Sequence, residues 1–198
     1  LKREELLQQY RDLAALVRSE LAAGQHPCAA FTSAEHQPHV SDTVLRTAVA
    51  ECIDEEDKHV LIVDADFSDK NLSTGMDAAA EFGLSEVLKG RVPWQQAVCA
   101  TGTPGLCLLP AGRIAPPKQE EGSSRFTDLL KELTCQWDLV LVDAGSCEDS
   151  HTCDVLTAAR NVYIVVRLGE TEQVAATAAV ERIRNTGATL RGSVVTNA

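Results

Sequence analysis

Two apolar runs in this chain end in acids. His59-Val-Leu-Ile-Val-Asp64 is followed at once by Ala65-Asp66, and Asp138-Leu-Val-Leu-Val-Asp143 repeats the design. Runs that are apolar on both faces belong to strands buried on both sides of a parallel sheet. In open α/β sheets ligands bind beyond the carboxyl ends of such strands, so Asp64, Asp66 and Asp143 are expected to converge on one crevice. Carboxylates so placed hold Mg²⁺, directly or through water. A single Asp after a strand can simply cap the next turn, but two sites of the same design favour a shared function. The histidines and cysteines point elsewhere. Cys28, Cys147, Cys153, His36, His39 and His151 show no CxxC pair and no zinc spacing, so a structural zinc is disfavoured. Cys147 near His151 is the sole candidate for a nucleophile with its base, while Cys107 and Cys135 read as small apolar residues.

The elements that must position these acids follow from periodicity. Leu6, Leu7, Tyr10, Leu13, Leu16, Val17 and Leu21 recur at helical spacing before Gly24, which makes residues 1–24 an N-terminal amphipathic helix. Pro27 to Ser33 reads as a short strand, followed by a polar loop to Ser41 and a helix from Asp42 to about Ile53. Further strands are expected at 59–64, 138–143, 161–166 and 190–195, with helices at about 124–135, 150–159 and 170–186. Residues 65–122 are richer in Gly and Pro, with short helices at 84–88 and 94–98 and a strand at 106–109, and read as an insertion over one sheet edge. The whole is one α/β domain, residues 1–198, with a doubly wound, mostly parallel sheet flanked by helices.

Composition narrows the function. With 198 residues the chain can bury a full core, and 18 basic against 29 acidic side chains give a net charge of −11. No basic run is dense enough to track phosphates, which argues against nucleic acid and against an anionic membrane surface. No apolar stretch reaches the ~18–20 residues that span a bilayer, so no direct membrane insertion is expected. Seven cysteines without paired spacing suggest a reducing, cytoplasmic setting. A chain that opens on Leu1 and stops after an apolar run reads as a piece of a longer polypeptide.

Seven short blocks in fixed order carry a family resemblance. They are Thr32-Ser-Ala34, Val63-Asp-Ala-Asp66, Gly83-Leu-Ser-Glu-Val-Leu-Lys-Gly90, Leu109-Pro-Ala-Gly112 with Pro116-Pro117, Trp137 to Asp143, Val165-Val-Arg167 with Thr171, and Gly192-Ser-Val-Val-Thr-Asn197. Together they resemble the cytoplasmic domain of bacterial tyrosine kinases of capsule and exopolysaccharide assembly, P-loop proteins related to the septum-site and partition ATPases. The Gly-Leu-Ser and Leu-Pro-Ala-Gly blocks favour the kinases over the partition ATPases. The resemblance implies a P-loop NTPase fold, Mg²⁺ binding and proton abstraction at Asp64 and Asp66, an adenine contact at Asn197, and a membrane-anchored chain-length or export protein as partner. Of the arginines that drive ring assembly in that family, Arg11 alone has a counterpart here, which leaves a homo-oligomer as a possibility. Tyr10 and Tyr163 are the only tyrosines, so the family's tyrosine cluster is not in this sequence.

One family feature is missing. A P-loop presents Gly-x-x-Gly-Lys-Ser/Thr, whose amides cradle the phosphates and whose Lys meets the β- and γ-phosphates. Ungapped alignment from Asp64 puts Pro38 on the family's Pro, His39 and Ser41 on the glycines, Asp42 on the lysine and Thr43 on the Mg²⁺-binding hydroxyl, in a loop two residues longer. A unit charge pair at 4 Å is worth ~4 kcal/mol at an effective dielectric of 20, so trading attraction for repulsion removes about three decades of triphosphate affinity. The expectation is therefore a catalytically degenerate domain with no cofactor, acting as a binding or regulatory module. The alternative is an active Mg·ATP-dependent tyrosine kinase or ATPase with Thr43, Asp64, Asp66 and Asp143 on the metal.

Overall fold

The computed structural model describes residues 2–22, 27–36, 39–54, 57–76, 81–117 and 119–197. Its centre is a seven-stranded sheet in the order β3-β4-β2-β5-β1-β6-β7, with β1 at Cys28–Ser33, β2 at Val60–Asp64, β3 at Cys99–Ala100, β4 at Leu106–Leu109, β5 at Leu139–Ser146, β6 at Asn161–Arg167 and β7 at Thr189–Thr196. Every pairing is parallel except the short β3 against β4. The middle strands β1, β2 and β5 are buried at every position. Each large apolar side chain so buried contributes roughly 1.5–3 kcal/mol, which is why runs without polar alternation settle at the centre of the sheet.

Helices cover both faces. On one side α1 (Lys2–Ala22) and α2 (His39–Asp54) pack Val17, Leu21, Val44 and Ala48 onto Phe31, Ile62, Leu141 and Tyr163. On the other, α4 (Leu84–Leu88), α6 (Gln119–Thr134), α7 (Thr152–Ala159) and α8 (Gln173–Asn185) pack onto Leu61, Val63, Val140 and Val142. The short α3 (Asn71–Gly75) and α5 (Trp94–Ala97) complete the set of eight among the described residues. Among the described residues no helix is long and apolar enough to cross a membrane, and all seven cysteines are free.

Several expected boundaries move. Residues 65–122 do not lie over a sheet edge; they build it, because β4 pairs with β2 in register from Val60 with Leu106 to Val63 with Leu109 and β3 closes the edge. Strand β5 continues to Ser146, so Asp143 sits within its strand rather than at the end, held there by pairing on both sides with β2 and β1. Helix α2 starts at His39, three residues earlier than its apolar periodicity indicates, and α3 has too little periodicity to read at all.

Candidate functional site

Asp64 and Asp143 face each other across adjacent parallel strands. They are register partners of β2 and β5, and neither exposes any surface. The Asp64 carboxylate accepts hydrogen bonds from the Ser73 hydroxyl at 2.5 Å, the Ser73 N–H at 2.9 Å and the Asp66 N–H at 3.2 Å. Asp143 accepts from the Ser41 hydroxyl at 2.5 Å and from the Gly145 N–H at 3.1 Å. Asp66 caps its own turn through the N–H groups of Ser68 and Asp69 at 3.1 and 3.0 Å. Gly145 closes this corner. Its φ of +63° suits glycine, and a Cβ there would stand 2.8 Å from the Asp66 carboxyl carbon.

Among the described residues no lysine or arginine forms an ion pair with any of these three acids. Their titration reflects that. Burial pushes Asp143 up to about 7, with the Asp64 charge adding to it, and burial pushes Asp64 up to about 6 against the pull of Ser73. Asp66 is raised as well, again chiefly by burial. Two adjacent carboxylates without a cation cannot both ionise freely at neutral pH. Among the described residues no group of three His, Cys, Asp or Glu side chains is disposed to hold a metal ion.

The first turn of α2 carries the residues of the ungapped alignment. Ser41, expected on a glycine, supplies the hydroxyl that meets Asp143. The residue before it is Val40, buried in the core at 1% exposure. Asp42 does not join the acids. Its side chain is half exposed and paired with Arg46 at 2.7 Å, one helical turn on, because position 42 is turned about 100° around the helix from position 41. Thr43 is buried on the α1 side, beside Tyr10. Pro38 lies outside the described residues. His39 and Ser41 both lie in the first turn of α2.

His39, Asp42, Thr43 and Asn197 instead line a second space, a cavity of about 690 Å³ between α1, α2 and the carboxyl ends of β6 and β7. Tyr10, Arg46, Arg167 and Thr196 share it, and the Arg46 guanidinium lies 5.7 Å from the Tyr10 ring centre. Neither ring nitrogen of His39 has a hydrogen-bond partner, nor has the Thr196 hydroxyl. Burial and the nearby Arg167 charge lower the His39 pKa, against the pull of Glu170.

Other candidates disperse. Cys147 is buried with its thiol 3.3 Å from the Thr32 hydroxyl, and His151 packs edge-on against Phe67, so the two form no nucleophile-base pair. His36 sits between Asp69 and Asp149 at 3.7 and 3.5 Å. Arg11 pairs within the chain with Asp54 at 2.9 Å. The Gly83 and Leu109 blocks, far apart in sequence, prove to be one clasp. Leu84 and Ser85 donate N–H groups to the carbonyls of Pro110 and Ala111 at 2.7 and 3.0 Å, and the buried Glu86 carboxylate accepts the N–H groups of Gly83, Arg113 and Ile114. Ala111 donates its N–H to Ser73 at 2.9 Å, which ties the clasp to the ligand of Asp64. Ser73 escapes sequence reasoning because nothing marks its helix; a polar residue nine positions after a strand acid is the only trace it leaves.

The comparison with known proteins settles the ancestry. A family model described as cellulose biosynthesis protein BcsQ matches residues 39–179, more than half of the chain. The chain belongs to that family. Among curated proteins it is 30% identical over 107 residues to the tyrosine-protein kinase ptk of Acinetobacter johnsonii, a match that covers 54% of this chain and 15% of that protein. It is 26% identical over 190 residues to the tyrosine-protein kinase YwqD of Bacillus subtilis, covering 95% of this chain and 79% of YwqD. The etk kinase of Escherichia coli matches at 24%, over 80% of this chain and 22% of its own length, so the chain spans only a small part of the first of these relatives and of etk. In fold it superposes on the kinase domain of Escherichia coli ETK with a TM-score of 0.86 at 20% identity, covering 96% of this chain and 75% of that one. It superposes on the MinD cell division protein of Aquifex aeolicus at 0.66 and 21% identity, covering 85% and 67%. The resemblance to bacterial tyrosine kinases and the P-loop NTPase-like fold are thus both borne out.

Proposed function

We propose that this domain has given up triphosphate binding and serves as a binding or regulatory module in polysaccharide synthesis or export, on the cytoplasmic side, with a membrane-anchored export or chain-length protein as its partner. The observation that carries the reading is the first turn of α2. The hydroxyl that meets Asp143 belongs to Ser41, and the position before it, where a P-loop has its lysine, is the buried Val40. Phosphates entering here would meet a buried acid pair and no fixed cation, and each unit charge of repulsion near 4 Å costs about 4 kcal/mol at an effective dielectric of 20. The residues present do not fit a nucleoside triphosphate. Relatives whose names declare them tyrosine kinases supply the setting, not the activity.

A second reading has its own support. A buried hydroxyl against an aspartate, as in Ser41 with Asp143, is the pair with which P-loop enzymes hold Mg²⁺. With Asp64 alongside and a large cavity beside α2, it favours a residual Mg·ATP-dependent kinase or ATPase. In that reading Ser41 takes the part first given to Thr43. Release of phosphate from Mg·ATP, followed with purified domain and with Asp143→Ala as the control, separates the two: the proposed module gives the same background in both proteins, and turnover lost in the variant would overturn it.

A further inference from the structure

Lys70 stands in a backbone conformation that lysine rarely adopts. Its φ of +51° and ψ of +38° place it in the left-handed region, one of two non-glycine residues with positive φ among the described residues. The other, Arg160, follows the last turn of α7, where left-handed residues commonly end helices. Lys70 precedes α3 instead, where an extended residue with a capping side chain is the rule, and its side chain makes no cap. Strain of this kind persists only where the surroundings hold it. Three hydrogen bonds do so here. The Lys70 N–H donates to the Asp66 carbonyl at 3.1 Å, the Lys70 carbonyl accepts the Thr74 N–H at 3.0 Å, and the ammonium donates to the Gly112 carbonyl at 2.8 Å.

The two sides of the ammonium contact are unequal. Gly112 belongs to the clasp, where its φ is +91° and an added Cβ would run into the Glu86 carboxylate and the Ser85 hydroxyl. That side is fixed. Helix α3 is not, because Leu72 alone of its five residues is buried, whereas α4, also of five residues, buries four. Five residues are too few to hold a helix by their own hydrogen bonds. Elements with few buried apolar contacts open locally, well below the cost of global unfolding. Yet α3 closes part of the acid site. Ser73 covers Asp64 with its N–H and its hydroxyl and takes the Ala111 N–H, while Asp143 is covered from elsewhere, by Ser41 and the Gly145 N–H.

We propose that α3 is a lid over Asp64, latched by the Lys70 ammonium on the Gly112 carbonyl and driven open by the strained turn at Lys70. When the ammonium leaves the carbonyl, Lys70 relaxes to an ordinary conformation, Ser73 lifts from Asp64 and that carboxylate meets solvent. Asp143 stays covered, so the lid uncovers one acid of the pair and not the other. The device goes beyond the binding-module reading and holds whether or not the crevice takes a nucleotide.

Amide hydrogen exchange by NMR, together with carbodiimide-driven coupling of an amine to carboxyl groups read by mass spectrometry, tests this on the chain without ligand. The amides of Ser73, Thr74 and Met76 are expected to exchange at least a hundredfold faster than those of Ile62 and Leu141 in the central strands, and Asp64 is expected to label at least fivefold faster than Asp143. Lys70→Met removes the ammonium and keeps the strain; it should speed α3 exchange and Asp64 labelling at least fivefold while leaving Ile62, Leu141 and Asp143 unchanged. Lys70→Arg still reaches Gly112 and should stay within twofold of the wild type. Exchange of α3 at the rate of the central strands, or a Lys70→Met variant whose α3 and Asp64 behave as in the wild type, would overturn the proposal. So would an acceleration shared equally by Ile62 and Leu141, which is lost global stability rather than a released lid.

Discussion

Replacing Asp143 by Asn should make the domain more stable at neutral and alkaline pH. In the folded chain burial and the Asp64 charge raise Asp143 from 3.8 to about 7, and Asp64 is itself raised to about 6. An acid whose folded pKa lies above its unfolded value binds more protons folded than unfolded between the two, so stability falls as pH climbs through that window and levels off above it. At 1.36 kcal/mol per unit, the roughly three units on Asp143 set an upper bound of about 4 kcal/mol for the penalty carried by the ionised pair at pH 8. Asn keeps an oxygen for the Gly145 N–H and adds an amide that can donate to Asp64, while removing the second charge. Urea unfolding of both proteins, followed by tryptophan fluorescence at pH 5, 6, 7 and 8, reads the difference directly and cancels the other titrating groups. The variant is expected to match the wild type within about 0.5 kcal/mol at pH 5 and to exceed it by about 2 kcal/mol at pH 8, half the bound because pair relaxation and water entry soften burial. Equal stability at pH 8, or a variant weaker there by 1 kcal/mol or more, would refute the reasoning that the acids stand without a compensating cation.

Glu86→Ala removes a buried acceptor from three backbone N–H groups and should cost about 2–3 kcal/mol in urea unfolding. Burial raises the Glu86 pKa but the N–H groups of Gly83, Arg113 and Ile114 outweigh it and leave it below the ordinary value; its stabilisation is therefore present above the unfolded glutamate pKa and lost as pH falls through the folded one, so the deficit of Glu86→Ala should shrink in acid. Gly145→Ala drives a Cβ to 2.8 Å from the Asp66 carboxyl carbon at a φ of +63°, and a loss of about 1–3 kcal/mol is expected in the same assay. Restoring a phosphate loop should work at one register only: His39→Gly with Val40→Lys is expected to create Mg·ATP affinity by calorimetry, whereas Ser41→Gly with Asp42→Lys, which follows the ungapped alignment, should create none.

Much of this was legible in the residues because the strongest signals are periodic or ordered. Unbroken apolar runs mark β2 and β5, and they bring Asp64 and Asp143 together in register. The Gly83 and Leu109 blocks could be recognised but not understood until Glu86 was seen to join them. The start of α2 lies three residues before its apolar periodicity because capping turns carry polar residues that periodicity ignores, and an ungapped count back from Asp64 cannot tell that the Asp42 side chain pairs with Arg46 rather than with the acids. The cavity of His39, Arg167 and Thr196 is assembled from an N-terminal helix, the start of α2 and the last strand, a juxtaposition no local pattern announces. Ser73 belongs to the same class, since its role is defined by its neighbours rather than by its own sequence.

The most direct measurement is isothermal titration of the domain with Mg·ATP and with Mg·ADP, set beside Mg²⁺ alone. The proposed loss of triphosphate binding, read from Val40 before a Ser41 closed onto Asp143, predicts no nucleotide binding up to millimolar concentration. Micromolar binding of either nucleotide, weakened by Asp143→Ala, would contradict it and return the domain to the active kinases whose fold it shares.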